Sequence, residues 1–161
     1  MPDWSHVAAA APDLAALARA RFEATGLGLL ATLRRDGAPR ISGIEPLFTD
    51  DHLWLGMMPG SRKAEDLVRD PRFALHSATV DKQVTQGDAK VGGRALPVAD
   101  ETDVAAFRRA FEASTGYPPP PGPFTLFRAD VHEVSTVQPA GDHLNIDVWL
   151  AGSPPRRIER Y

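Results

Sequence analysis

The sequence predicts a mainly β protein, an antiparallel barrel of six or seven strands with added helices. Three observations carry that expectation. Six or seven short segments alternate apolar and polar residues or are rich in β-branched ones. The first of these segments are joined by turn signals too short for a parallel crossover, which needs a dozen residues or more. Two or three segments with a 3.6-residue apolar period are added to the strands rather than alternating with each of them. The 161 residues form one domain, 1–161.

Taken in order, residues 1–11 read as a loose leader. A helix is expected from Pro12 to about Ala24, with Leu14, Leu17, Arg21 and Phe22 at helical spacing and Gly26 closing it. The period then falls to two: Leu27, Leu29, Ala31 and Leu33 form a first strand, and Arg35-Asp36-Gly37-Ala38 is a hairpin turn. A second strand runs from about Arg40 to Phe48, with Pro46 marking an edge or bulge. His52 to Met57 is a third strand, stopped by Pro59-Gly60-Ser61. Arg62 to Asp70 reads as a short helix with Ala64, Leu67 and Val68 on its buried face, ended by Asp70-Pro71.

Arg72 to Ser77 is a fourth strand, 79–87 a polar loop, and Ala89 to Val98 a fifth strand kinked at Gly92-Gly93. Thr102 to Thr115 is a second strong helix, its face made by Val104, Ala105, Phe107, Ala110 and Phe111. The five prolines within residues 117–123 make a stiff spacer. Phe124 to Val137 and His143 to Leu150 are the last strands, and residues 152–161 form a basic tail. No internal repeat is present.

Composition excludes several functions. The chain has no cysteine, so disulfide frameworks, thiolate nucleophiles and most structural zinc sites are ruled out. A net charge of −3 speaks against a general nucleic-acid binder. The 15 arginines against 3 lysines fit a GC-rich coding sequence, so arginine placement carries more information than arginine number. No apolar run approaches the ~18 residues of a membrane span, and no basic, apolar, small-residue leader opens the chain. The expected address is the reducing cytoplasm.

Among motifs, Gly26-x-Gly28-x-x-Ala31 has the glycine spacing of a dinucleotide fingerprint but lies between a helix and a strand, the reverse of what that motif needs. There is no phosphate-binding GxxxxGK[ST] loop and no GxSxG elbow. The histidines His6, His52, His76, His132 and His143 are scattered, and His132-Glu133 lacks a zincin's second histidine, so no metal is expected.

The informative segment is Gly56-Met57-Met58-Pro59-Gly60-Ser61-Arg62-Lys63. A helix start exposes unpaired amides and a positive dipole end, which favours acidic neighbours by ~0.3–1 kcal/mol each. Arg62 and Lys63 have the wrong sign there. The conflict disappears if an anion, most naturally a phosphate, rests on the amides after Ser61, with Arg62 supplying a fork and Lys63 a point charge. The competing reading is a plain N-cap whose cations are solvated and offset by Glu65 and Asp66. Met57 and Met58 could pack against a flat ring or be ordinary core. Trp149 followed by Arg156, Arg157 and Arg160 is a second constellation, an aromatic plane beside cations.

The run Leu30-Ala31-Thr32-Leu33-Arg34-Arg35-Asp36-Gly37-Ala38-Pro39-Arg40, followed by Gly60-Ser61-Arg62-Lys63-Ala64-Glu65-Asp66-Leu67-Val68-Arg69-Asp70-Pro71-Arg72, resembles the pyridoxamine 5'-phosphate oxidase-like superfamily. The resemblance covers about Gly26 to Val98 and weakens toward the C-terminus. It implies the FMN-binding split β-barrel and a homodimer with two cofactors at the interface. It implies that Ser61, Arg62 and Lys63 hold the cofactor phosphate. Arg40, Ile41 and Ser42 with Gly56, Met57 and Met58 would line the isoalloxazine and ribityl chain. Asp88 would touch the ring from the partner subunit, and Trp149 and Arg160 match a C-terminal tryptophan and arginine that reach the cofactor.

Two departures concern the reaction. Where the oxidase has a lysine for the substrate phosphate, the ungapped match is Pro46, and where it has Arg-x-His, Arg156-Arg157-Ile158 lacks the histidine. Oxidation of pyridoxamine phosphate itself is therefore not expected. The wording Arg62-Lys63-Ala64 with Leu67-Val68-Arg69-Asp70-Pro71-Arg72 also resembles an actinobacterial branch that binds FMN or the deazaflavin F-420, and sometimes haem or its breakdown products. The resulting expectation is an FMN-dependent oxidoreductase acting on an unidentified small molecule. The alternatives are an F-420-dependent reductase, whose acidic tail the C-terminal arginines would meet, and a non-catalytic flavin or tetrapyrrole carrier.

Overall fold

The computed structural model describes residues 1–161. The elements are α1 (Trp4–Ala10), α2 (Pro12–Glu23), β1 (Gly28–Leu33), β2 (Pro39–Ile44), β3 (Leu47–Phe48), β4 (Leu53–Met57), α3 (Arg62–Arg69), β5 (Arg72–Ser77), β6 (Asp88–Pro97), α4 (Glu101–Thr115), β7 (Thr125–Ala140), β8 (His143–Leu150) and β9 (Arg156–Arg160). All recorded strand pairs are antiparallel, and the sheet order is β2-β1-β5-β6-β7-β4-β3, with β8 and β9 continuing from β7.

The topology is mainly β, antiparallel and curled, as expected, but with nine strands rather than six or seven. One added strand arises where the expected second strand breaks. Pro46 cannot donate to a ladder, so Arg40–Phe48 divides into β2, paired with β1, and the two-residue β3, paired with β4. The expected basic tail is a strand as well. Arg156–Arg160 pairs along β8, and Arg157 makes a bidentate ion pair with Asp147 at 2.7 and 2.9 Å.

Residues 1–11 are not a loose leader. Asp3 caps α1 by accepting from the His6 amide, Trp4 and Val7 are fully buried, and the Val131 amide donates to the Pro2 carbonyl. The Trp4 ring meets Phe48 edge to face with centroids 4.7 Å apart. The sequence cue was there, because a tryptophan and a valine three residues apart is helical spacing. The stretch is too short for that period to stand out.

The main core is lined by the inward residues of the sheet, among them Leu30, Leu53, Leu55, Leu75, Val91, Phe127 and Val131, and is closed by α1 and α2. The kink expected at Gly92-Gly93 is a register shift between β6 and β7. A Cβ on Gly93 would collide with the Asp130 carbonyl, so only glycine permits that approach.

The two ends of the strand order, β2 and β3, are not hydrogen-bonded to each other, and α3 crosses the β2 side of this split. A second, smaller cluster lies outside the barrel. There α4 covers Trp54 and Leu126 with Phe107, flanked by Val104, Phe111 and Phe124.

Candidate functional site

The candidate site is built where α3 closes the split. Ser61 caps the helix in extended conformation and accepts a 3.4 Å bond from the Ala64 amide. The two cations that follow diverge. Arg62 is exposed and pairs with Glu65 at 3.0 Å, while Lys63 donates from Nζ to the Gly43 carbonyl of β2 at 2.9 Å. Lys63 thus ties the helix start to the outer strand, and Arg62 stays on solvent.

Behind them sits a carboxylate that the sequence reading did not single out. Asp66 is 2% exposed. Its Oδ2 accepts from Thr32 Oγ1 at 2.8 Å and from Arg40 Nε at 2.6 Å, and its Oδ1 from Arg69 at 3.0 Å. Arg69 also donates to the Leu33 carbonyl. Burial pushes the Asp66 carboxyl up, but the bonds from Arg40, Arg69 and Thr32 outweigh it and hold the group below the usual carboxylate range. The network latches α3 to β1 and β2. It also corrects the expected helix face: Ala64, Asp66 and Leu67 are buried, while Val68 is exposed. Just past the helix, bonds from the Arg72 guanidinium and amide lower Asp70 to about 2.

A cleft of about 760 Å³ runs beside this helix, lined by Arg35, Arg40, Gly60, Arg62, Ala64, Glu65, Asp66, Val68, Arg69 and Thr125. Four guanidinium groups face two carboxylates there, on a chain whose net charge is −3. The cleft is positive on an acidic protein, which focuses anions into it.

The expected site residues separate into three groups. Ser61, Arg62, Lys63 and Arg40 meet at the split, with Ser42 on the same half-buried side of β2 as Arg40. Arg40 is, however, engaged by Asp66 rather than free for a ring. Ile41 lies on the opposite face of β2 and is 71% exposed, and Met58 at the end of β4 is 78% exposed.

The second group is sealed. Met57 belongs to the main core, so its ordinary reading holds and it is not a ring contact in this chain. Gly56 faces α4, where an added Cβ would meet the Phe107 ring at 3.0 Å. Its missing side chain leaves room for that ring. Trp149 is 1% exposed in the main core, with the His6 ring 6.0 Å away, and presents no surface to a ligand.

The third group is remote within one chain. Met57 pairs with Thr125 on β7, whereas Asp88 pairs with Val137, twelve residues further along the strand. Asp88 accepts from Thr79 at 3.1 Å. Arg160 pairs with Leu144 on the outermost hairpin and is exposed. No cluster of three or more potential metal-ligating residues forms.

An anion fits the helix start. Its first two residues are an exposed Arg62 and a Lys63 at the surface, and nothing lies within 4 Å of where Gly60 would carry a Cβ. The family model for pyridoxamine 5'-phosphate oxidase matches residues 14–138. The chain belongs to that family.

Solved structures agree on the fold. An FMN-binding, pyridoxamine 5'-phosphate oxidase-related protein from Nostoc punctiforme superposes with a TM-score of 0.65 at 15% identity, covering 94% of this chain and 96% of that one. PhzG from Burkholderia lata, solved with tetrahydrophenazine-1-carboxylic acid, gives 0.64 at 15% identity over 99% and 96%. A haem-binding protein from Mycobacterium smegmatis gives 0.62 at 21% identity, and this chain, 84% of it aligned, spans 57% of that protein. No curated protein matches the sequence. At these identities the likeness concerns the split-barrel fold, which hosts more than one ligand among these neighbours. No helix is long and apolar enough to cross a membrane.

Proposed function

We propose that the protein binds FMN by its phosphate at the start of α3 and works as a flavin-dependent oxidoreductase on a small conjugated substrate other than pyridoxamine phosphate. One observation carries the reading: a helix start, fixed to the barrel by the Asp66 network, that places Arg62 and Lys63 where its own dipole disfavours them. When bound, a flavin supplies hydride or electron transfer. The chain supplies the phosphate grip, the anchoring of α3 and a shielded surface.

A second copy completes this reading. The outer face of β1, β2 and β5 presents Leu29, Ala31, Ile41 and Ala74, an apolar strip bordering the Lys63–Gly43 contact. Half-exposed Leu29 and largely exposed Ile41 favour a partner there. A homodimer through this face supports a ring seat between protomers, where Asp88 and Arg160 of the second copy take the places they lack in the first. Ile41→Asp is expected to shift the protein toward monomer in sedimentation and to weaken flavin binding with it.

The direct test is titration of cofactor-stripped protein with FMN, with F-420 and with haemin, followed by fluorescence or absorbance. Tight FMN binding that falls in Arg62→Ala/Lys63→Ala supports the reading. Binding of haemin alone, or FMN binding indifferent to that double substitution, overturns it. Preference for F-420 replaces the flavin by its deazaflavin analogue at the same helix start.

A further inference from the structure

The cleft beside α3 holds more positive charge than one phosphate at Ser61–Lys63 accounts for. Its acidic lining is already spent. Both oxygens of Asp66 are occupied by Thr32, Arg40 and Arg69, and Glu65 is paired with Arg62. Arg35 lines the same cleft with no ion pair of its own, and it is exposed. The turn carrying it is ordered by bonds from the Arg34 amide to the Ala38 carbonyl and from the Gly37 amide to the Arg34 carbonyl, each 2.9 Å. Its backbone is therefore fixed while its guanidinium is unused.

The lining between Arg35 and α3 is not hydrophobic: of the ten lining residues only Ala64 and Val68 are. A planar ring has little to pack on there, while an oligoanionic chain has donors along its length. The volume, about 760 Å³, exceeds what one phosphate group needs.

We propose that this cleft is a second anion subsite, in which Arg35 and the Arg69 side of α3 receive a further anionic group of the same ligand, a diphosphate or an acidic tail extending from the flavin. The inference rests on the flavin reading and assigns Arg35 a binding role. The first phosphate stays at Ser61–Lys63, and the added charge lies along Glu65, Val68 and Arg69 toward the β1–β2 turn. Ligands with only one phosphate leave the subsite to solvent.

The test compares FMN, FAD and F-420 binding to the full chain in three forms: unaltered, Arg35→Ala and Val68→Glu. Both positions are exposed, so melting temperatures should match within error, which is checked first. FMN affinity is expected to change less than about twofold, whereas the ligand with the added anion loses about fivefold to tenfold in each variant and becomes more salt-sensitive. A loss with FAD identifies the diphosphate as the group received, and a loss with F-420 identifies the acidic tail. Equal losses for FMN and the longer ligands, or no loss for any, overturn the proposal. Should FMN fail to bind the unaltered protein, the flavin reading falls. Inorganic tripolyphosphate then decides the cleft separately: binding weakened by Arg35→Ala retains the subsite, and no binding removes it.

Discussion

Two helices lie on the outside of this barrel and begin in opposite ways. At α4, Asp100 accepts from the amides of Thr102 and Asp103, and Glu101 and Asp103 add negative charge to the first turn. That start is complementary to its own dipole. At α3, Ser61 makes one long cap bond and the first two helical residues are cations. Attachment differs as well. Aromatic packing of Phe107, Phe111 and Phe124 around Trp54 holds α4, whereas the buried Asp66 network holds α3. The contrast separates a helix start matched to its own dipole from one that the proposed anion would complete, with its anchoring moved one turn down the helix to Asp66.

The largest effect should come from removing that anchor. Asp66→Ala leaves Arg40 and Arg69 without their shared carboxylate and is expected to destabilise the fold by about 3 kcal/mol in denaturant unfolding, together with loss of ligand binding. The matching loss at α4, Phe107→Ala, is expected to cost about 3 kcal/mol through an emptied aromatic contact while leaving cofactor affinity within about twofold. If both substitutions weaken binding equally, the functional distinction between the helices is wrong.

A smaller effect separates the caps. Asp100→Ala should cost about 1 kcal/mol and Ser61→Ala about half that, given its longer bond. Only the second should lower FMN affinity. Arg62→Ala/Lys63→Ala should lower FMN affinity by about a hundredfold, with only a small drop in melting temperature, because relief of the dipole conflict offsets loss of the exposed Lys63–Gly43 bond.

Acid sharpens the comparison further. The Asp66 carboxyl titrates below its unfolded value, so the stability it contributes is present above about pH 4 and is lost as pH falls through its lower folded value. Asp70, lowered to about 2 by Arg72, adds to the same acid slope from the end of α3. Unfolding measured between pH 5 and pH 2 should lose part of this slope in Asp66→Asn. A slope unchanged by that substitution would show that Asp66 does not control the acid sensitivity.

Much of the fold was legible because the signals were local. The Asp-Gly hairpin, the proline at residue 46, the Gly92-Gly93 bulge and the amphipathic faces of α2 and α4 each act through neighbours a few residues away. Pro46 marks a disruption in the sequence, but that one strand becomes two there is decided by which neighbours β2 and β3 pair with. Short elements were missed: α1 has seven residues and β9 five, too few for a period to stand out. Their existence depends on what they pack or pair with, here Phe48 for Trp4 and β8 for β9.

The helix start at Ser61-Arg62-Lys63 was readable because charge beside a dipole is a one-dimensional relation. Asp66 and Arg35 were not. An aspartate in a helix looks solvated until Thr32 and Arg40, 34 and 26 residues earlier, arrive beside it. Met57 and Trp149 turned inward for the same reason: sequence shows that a strand has two faces, but only the curl of the sheet and the seating of α1 decide which face is core. The sequence by itself determined the antiparallel β class, the family pattern and the misplaced cations of α3. The tertiary structure decided the seam, the latch and the positive cleft, because each is made by residues that meet only after the chain has closed the barrel around them.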